Sequence, residues 1–281
     1  MNNDISTEIE LPLDERNLAH VFTALSFAGL VARQSSDPQL ARCWWTDTGF
    51  ALLSPLAETQ VLALADRLLR SLRWIPALGV ADGEIDAKAH HGVLAAGEMM
   101  GVNPFISLAD SGGEKSPFKT FSGQQDPAKD LPEQIARVQG AHQCLAEWLS
   151  QRAHGVSSWG LDHRVGSHAY DLGFSSNDEG TGSCDPVYPV VELLGLAGAA
   201  LFLPAQVLQI DESHVLYSIW TQAISTSLVP LAVADRIDGL RVRRYRTSSR
   251  GAAYGKGAAY RYFPEATPVE TIDGGPNERN S

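Results

Sequence analysis

The densest polar constellation in the chain is Phe118-Lys-Thr-Phe-Ser-Gly-Gln-Gln125. Lys119 supplies a cation. Thr120 and Ser122 supply hydroxyls, and Gln124 and Gln125 supply amides that can donate and accept. Such a loop can hold phosphate and ribose while an aromatic ring stacks on a base. The plainer reading is an internal loop whose amides satisfy neighbouring backbone.

Carboxylates and imidazoles gather in a second place. Asp162-His-Arg164, His168 and Asp171 bring acid, base and cation close together, so a metal-dependent phosphodiester chemistry could be assembled from Asp162, His163, His168 and Asp171. Their spacing matches no zinc or two-metal pattern, and polar residues of this kind commonly make turns. His90-His91 with Glu98 does not fit H-E-x-x-H. Ser116-Pro-Phe-Lys119 fits S-x-x-K without the partner motifs of that chemistry. No dinucleotide fingerprint, Walker loop or nucleophile elbow is present, and no cofactor is called for.

The third place is basic. Eight Lys or Arg residues lie between Arg236 and Arg261, opposed only by Asp238, a local balance of +7. The whole chain carries −11, which leaves −18 on the rest. Arg241, Arg243 and Tyr245 alternate with Arg244 and Arg246, so a strand here shows arginine on both faces. Such a strand is expected at an edge, not inside a sheet. With Tyr254, Lys256, Tyr260, Arg261 and Tyr262 on the return it makes a basic, aromatic ribbon suited to a nucleic-acid backbone. A solvated edge strand, or a grip for an acidic protein, fits the same residues.

The elements that must position these groups are legible in outline. Ile9, Leu11 and Leu13 alternate as in a half-buried strand. Asp14 is the expected cap of a helix from Glu15 to about Arg33. Cys43 to Leu53 reads as a hairpin turning at Thr46-Asp-Thr-Gly49, with Trp45, Phe50 and Leu52 inside. Pro55 opens a helix to about Leu72, with Leu62, Ala65, Leu69 and Leu72 inward. A short strand is expected at Phe105 to Leu108, a helix at Pro132 to Arg152, and a strand-rich return at Ser157 to Phe174.

Pro186 to Pro204 is the longest apolar run, with one charge, Glu192. Its body, Val190 to Leu203, predicts a helix buried on every side. That helix is too short for a membrane span of about 20 residues. Gly195 and Gly198 remove side chains at helical spacing and admit another element closely. Glu192 in the first turn suits the helix dipole, with a buried catalytic acid as the sharper reading. His214 to Trp220 predicts a strand and Pro230 to Arg236 a short helix. Leu240 to Thr247 is expected to pair with Ala258 to Phe263 around Ser248 to Gly257. The residues after Pro264 read as a disordered tail.

The expectation is therefore one α+β domain over residues 1–264, with two lobes meeting near Asp126 to Asp130 as a variant. Cys43, Cys144 and Cys184 are odd in number and widely spaced, which points to reduced thiols and the cytoplasm. The polar start, Met1-Asn-Asn-Asp-Ile-Ser-Thr7, has no signal-peptide order.

Several stretches taken in order resemble one family. They are Leu18 to Leu30, Lys119-Thr-Phe-Ser-Gly-Gln-Gln125, Asp171-Leu-Gly-Phe-Ser175, Pro189-Val-Val-Glu-Leu-Leu-Gly-Leu-Ala-Gly198, Tyr217-Ser-Ile-Trp220, and Arg243-Arg-Tyr-Arg246 with Tyr254-Gly-Lys256. The set, spanning Ile9 to Phe263, is similar to the accessory CRISPR-associated proteins of the type I-G subtype (formerly I-U), the Csb group. The resemblance implies a non-catalytic subunit of an antiviral effector complex. Its partners would be other CRISPR subunits, guide RNA and target DNA. On this expectation Lys119, Gln124, Gln125, Arg241, Arg243, Arg244, Arg246 and Lys256 contact nucleic acid. A metal-dependent nuclease and a protein-binding adaptor are the alternatives.

Overall fold

A computed structural model describes residues 6–35, 40–76, 92–95, 106–107, 127–140, 144–154, 156, 158–164, 186–202, 209–211, 214–248, 250–254, 258–262 and 264–269. The architecture is α+β, with the sheets antiparallel throughout.

Two helices form its centre. Helix α1 (Leu18–Gln34) is buried along every side from Leu18 to Val31. Helices α2 (Glu58–Ser71), α3 (Pro127–Arg137) and α4 (Leu145–Leu149) follow. The second central helix is α5 (Pro189–Phe202), buried from Val190 to Ala199 as its all-apolar sequence demands. Two glycines let α1 and α5 touch backbone to backbone. A Cβ on Gly195 would lie 3.2 Å from the Ala19 carbonyl oxygen, and one on Gly198 would lie 1.9 Å from that of Phe22. Hydroxyls fasten the crossing. Thr23 Oγ1 donates to the Val191 carbonyl at 3.0 Å, and Ser26 Oγ donates to that of Leu194 at 2.7 Å.

Around the pair lie the sheets. Strands β1 (Thr7–Leu11), β2 (Arg42–Trp45), β3 (Phe50–Ser54) and β9 (Ile224–Ser225) make one, in the order β1-β3-β2-β9. Its β2–β3 hairpin turns at residues 46–49, and Trp45, Phe50 and Leu52 are in the core. Strands β4 (Arg73–Pro76), β5 (Gly92–Ala95) and β6 (Ile106–Ser107) make a second. A third contains β7 (Gln209–Asp211), β8 (His214–Trp220), β10 (Val242–Ser248) and β13 (Thr267–Val269), in the order β13-β10-β8-β7. Strands β11 (Arg250–Tyr254) and β12 (Ala258–Tyr262) pair with each other, and among the described residues with no other strand. Helix α6 (Val229–Val233) packs against β8. One contiguous hydrophobic core runs from Ile9 to Ala266 and draws on residues from both sides of Asp126 to Asp130.

Several expectations need correction. The cap of α1 is Asn17, whose Oδ1 accepts from Ala19 N at 3.1 Å, and not Asp14, which binds Arg16 N instead. The second helix begins at Glu58, and Leu62 is only half-buried. Pro132 to Arg152 is two helices: α3 ends at Arg137, and extended Cys144 precedes α4. Residues 158–164 form a loop with no strand. Strand β10 does not pair with Ala258 to Phe263. It lies between β8 and β13, and the hairpin belongs to β11 and β12. Thr267 to Val269 is a strand and Ala266 is buried, so the sheet reaches past Pro264.

Candidate functional site

Strand β10 carries the expected nucleic-acid contacts, and its neighbours sort them into two kinds. Tyr245 faces the core and stacks on Tyr217 of β8, its register partner, with ring centroids 5.7 Å apart. Arg243, two residues earlier and on the same face, forms an ion pair with Glu15 at 2.7 Å. Arg244 on the other face is held by Asp235, whose Oδ2 accepts from Nε at 2.7 Å and lies 2.6 Å from Nη2. Asp235 follows α6 with φ at +54°, a left-handed conformation that aspartate tolerates better than most residues. These two carboxylates explain how an interior strand can show arginine on both faces: each guanidinium finds its counter-charge across the sheet surface. Arg241 and Arg246 are exposed, and among the described residues neither has a carboxylate partner. Arg250 stands opposite Tyr262, and Gly251 opposite Arg261, in the β11–β12 register. Lys119, Gln124, Gln125 and Lys256 lie outside the described residues, as do His90, His91, Glu98, His168 and Asp171.

Deeper in the molecule, the loop 158–164 joins three helices through polar groups. Glu192 is fully buried on α5 and accepts from Ser158 Oγ at 2.7 Å, Trp159 N at 2.9 Å and Gln134 Nε2 at 3.4 Å. Gln134 on α3 in turn accepts from Trp159 Nε1 at 2.7 Å. Burial, with the nearby Asp162 charge, pushes the Glu192 carboxyl up to about 7 against the opposing hydrogen bonds. Buried on every side and occupied by protein donors, Glu192 is a fastening of loop to helix.

Asp162, four residues past Ser158, is also buried, yet its oxygens are taken. Asn17 Nδ2 donates to Oδ1 at 2.8 Å, and Arg164 donates from Nε at 3.0 Å and from Nη2 to Oδ2 at 2.6 Å. Burial pushes this carboxyl up, but Arg164, His20 and Asn17 outweigh it and hold it below the ordinary value. The same pair ties the loop to the cap of α1.

His20 stands nearby, and its tautomer follows from one bond. The Asp14 backbone N–H donates to His20 Nδ1 at 2.7 Å, so the ring proton sits on Nε2. Burial lowers its pKa to about 4 and keeps it neutral. With Nδ1 accepting and Nε2 protonated, the ring has no lone pair left for a metal. Among the described residues no group of three His, Cys, Asp or Glu side chains comes together as metal ligands. Asp162 is occupied by protein donors, and His168 and Asp171, the other two residues grouped with Asp162 and His163 in the metal reading, lie outside the described residues.

Sequence reasoning missed Glu15, Asp235, Asn17, Ser158, Trp159 and Gln134. No local pattern marks the first two: Glu15 meets Arg243 from the other end of the chain, and Asp235 meets Arg244 across the turn that leads into β10. Searches against family models, curated proteins and solved structures found no match. Among the described residues no helix is long and apolar enough to cross a membrane.

Proposed function

We propose that the protein is a non-catalytic subunit of a type I-G CRISPR antiviral effector complex in the cytoplasm, contributing to assembly and to the binding of guide RNA or target DNA. The observation that carries this reading is the basic run from Arg241 through β10 to the β11–β12 hairpin. Two of its arginines are clamped by carboxylates, while Arg241 and Arg246 stand exposed. The clamped pair shapes the surface, and the exposed pair remains for phosphates. An acidic body with one cationic strip favours contact along a defined track over general adhesion to polyanions. The ordered resemblance of six stretches to the Csb group supplies the setting.

The test is copurification from cells carrying the neighbouring defence genes, followed by sequencing of bound RNA. Guide RNA together with other effector subunits is the expected result. A complex that survives nuclease treatment without any nucleic acid would replace the reading with a protein-binding adaptor. In vitro, Arg246→Ala and Arg241→Ala should each weaken strand binding roughly threefold to tenfold, alike across sequences. Each should also flatten the salt dependence by about one phosphate contact. Unchanged affinity and slope in both variants would remove the ribbon from the interface.

A further inference from the structure

Tyr188 lies just before α5, and two arginines share its ring. The backbone builds the first contact. Ala153 and Val187 form an isolated antiparallel bridge, with N–H to carbonyl distances of 2.9 Å in both directions. In that register Arg152 stands opposite Tyr188, and its guanidinium carbon lies 5.6 Å from the ring centroid. The second arginine comes from the polar loop. Arg164 lies 3.6 Å over the same ring, fixed there by Asp162 through Nε and Nη2. Its Nη1 takes no part in those bonds. Arg152 is exposed, and among the described residues no carboxylate lies within ion-pair distance of it. One guanidinium is thus rigid and neutralised, and the other is preoriented and open.

We infer that Tyr188, Arg152 and Arg164 form a second contact for the phosphodiester backbone of a nucleic-acid strand. This inference rests on the nucleic-acid reading above. The guanidinium fork matches a phosphate with two parallel donors, and a cation–π contact at an exposed site orients Arg152 without consuming its hydrogens. An aromatic ring and a guanidinium each also present a flat face on which a base can lie. The bridge matters because it fixes Arg152 from the backbone, so that less ordering remains to be done on binding.

The experiment measures anisotropy of labelled single-stranded RNA and DNA of mixed sequence against the full chain over a salt series. Arg152→Ala, Arg246→Ala and the double variant are compared with the unaltered protein. Arg152→Ala touches no buried charge, so its circular dichroism and melting curve should match the parent. The expected result is a roughly threefold to tenfold loss with Arg152→Ala, a salt slope shallower by about one, and additivity with Arg246→Ala. Loss with Arg246→Ala but none with Arg152→Ala would overturn the second contact and leave the ribbon standing. Loss with Arg152→Ala alone would keep the second contact and remove the ribbon. No binding of either strand by the unaltered protein would overturn both.

Discussion

Glu192 and Asp162 are two carboxylates in one interior with opposite behaviour, and the difference is the company each keeps. Asp162 has a guanidinium at 2.6 Å, whereas Glu192 has neutral donors only. Glu192, raised to about 7 when folded against an ordinary value of 4.5, binds its proton more tightly in the folded state. Its contribution to stability is therefore fully present below pH about 4.5 and is lost as pH rises through about 7. Over that window a melting series should show stability falling with pH, by on the order of 2–3 kcal/mol from this group. Glu192→Gln should flatten that part of the profile, and a variant with the unaltered slope would show that another group sets it. The position of Glu192 was legible in the sequence as one charge in an apolar helix. Its partners were not, because Ser158 and Gln134 lie 34 and 58 residues away and neither belongs to a pattern.

Among the elements, the all-apolar helix α5 was readable and its glycines informative, while α1 was legible as a helix but not as one buried on every side. Gly198→Ala should force the α1 and α5 backbones apart, since the added methyl would meet the Phe22 carbonyl. A loss of about 2–3 kcal/mol in denaturant unfolding is expected, the scale of overpacking in a tight core. A variant of parental stability would show that the crossing is looser than its geometry. Where local periodicity failed, the reasons are particular. The apolar stripe of α3 runs on in register through Ala141 and Cys144 in the sequence, but the helix ends at Arg137, before Gly140, and Cys144 is extended. In β10 the alternation was right and the partners wrong. Small residues in Gly251-Ala-Ala253 looked like loop, yet they form β11 and claim β12. Arginine on both faces argued for an edge only while Glu15 and Asp235 were out of view.

At the scale of the whole molecule, the turn at Glu15 and Arg16 is where distant parts of the chain meet. Tyr217 Oη donates to the Glu15 carbonyl at 2.9 Å, and the Tyr245 hydroxyl donates to its carboxylate. Arg16 pairs with Glu265 at 2.7 Å, while Ala266 N donates to the Arg16 carbonyl at 2.8 Å. Truncation after Pro264 removes β13 and these contacts, and bares the flank of β10. Melting should move down by roughly 2–4 °C for each kcal/mol lost, and an unmoved Tm would show that β13 adds nothing to the sheet. No reading of local sequence joins residue 16 to residue 265, since the link consists of one exposed ion pair and one backbone bond. The crossing of α1 and α5 has a consequence in time. Thr23 and Ser26 each wait for a carbonyl 168 residues further along. At about 5–20 residues per second of synthesis, helix α1 stands without its mate for roughly 8–34 s. The carbonyls that fasten α1 are therefore made well after α1 itself, and the crossing can close only once α5 has been synthesised.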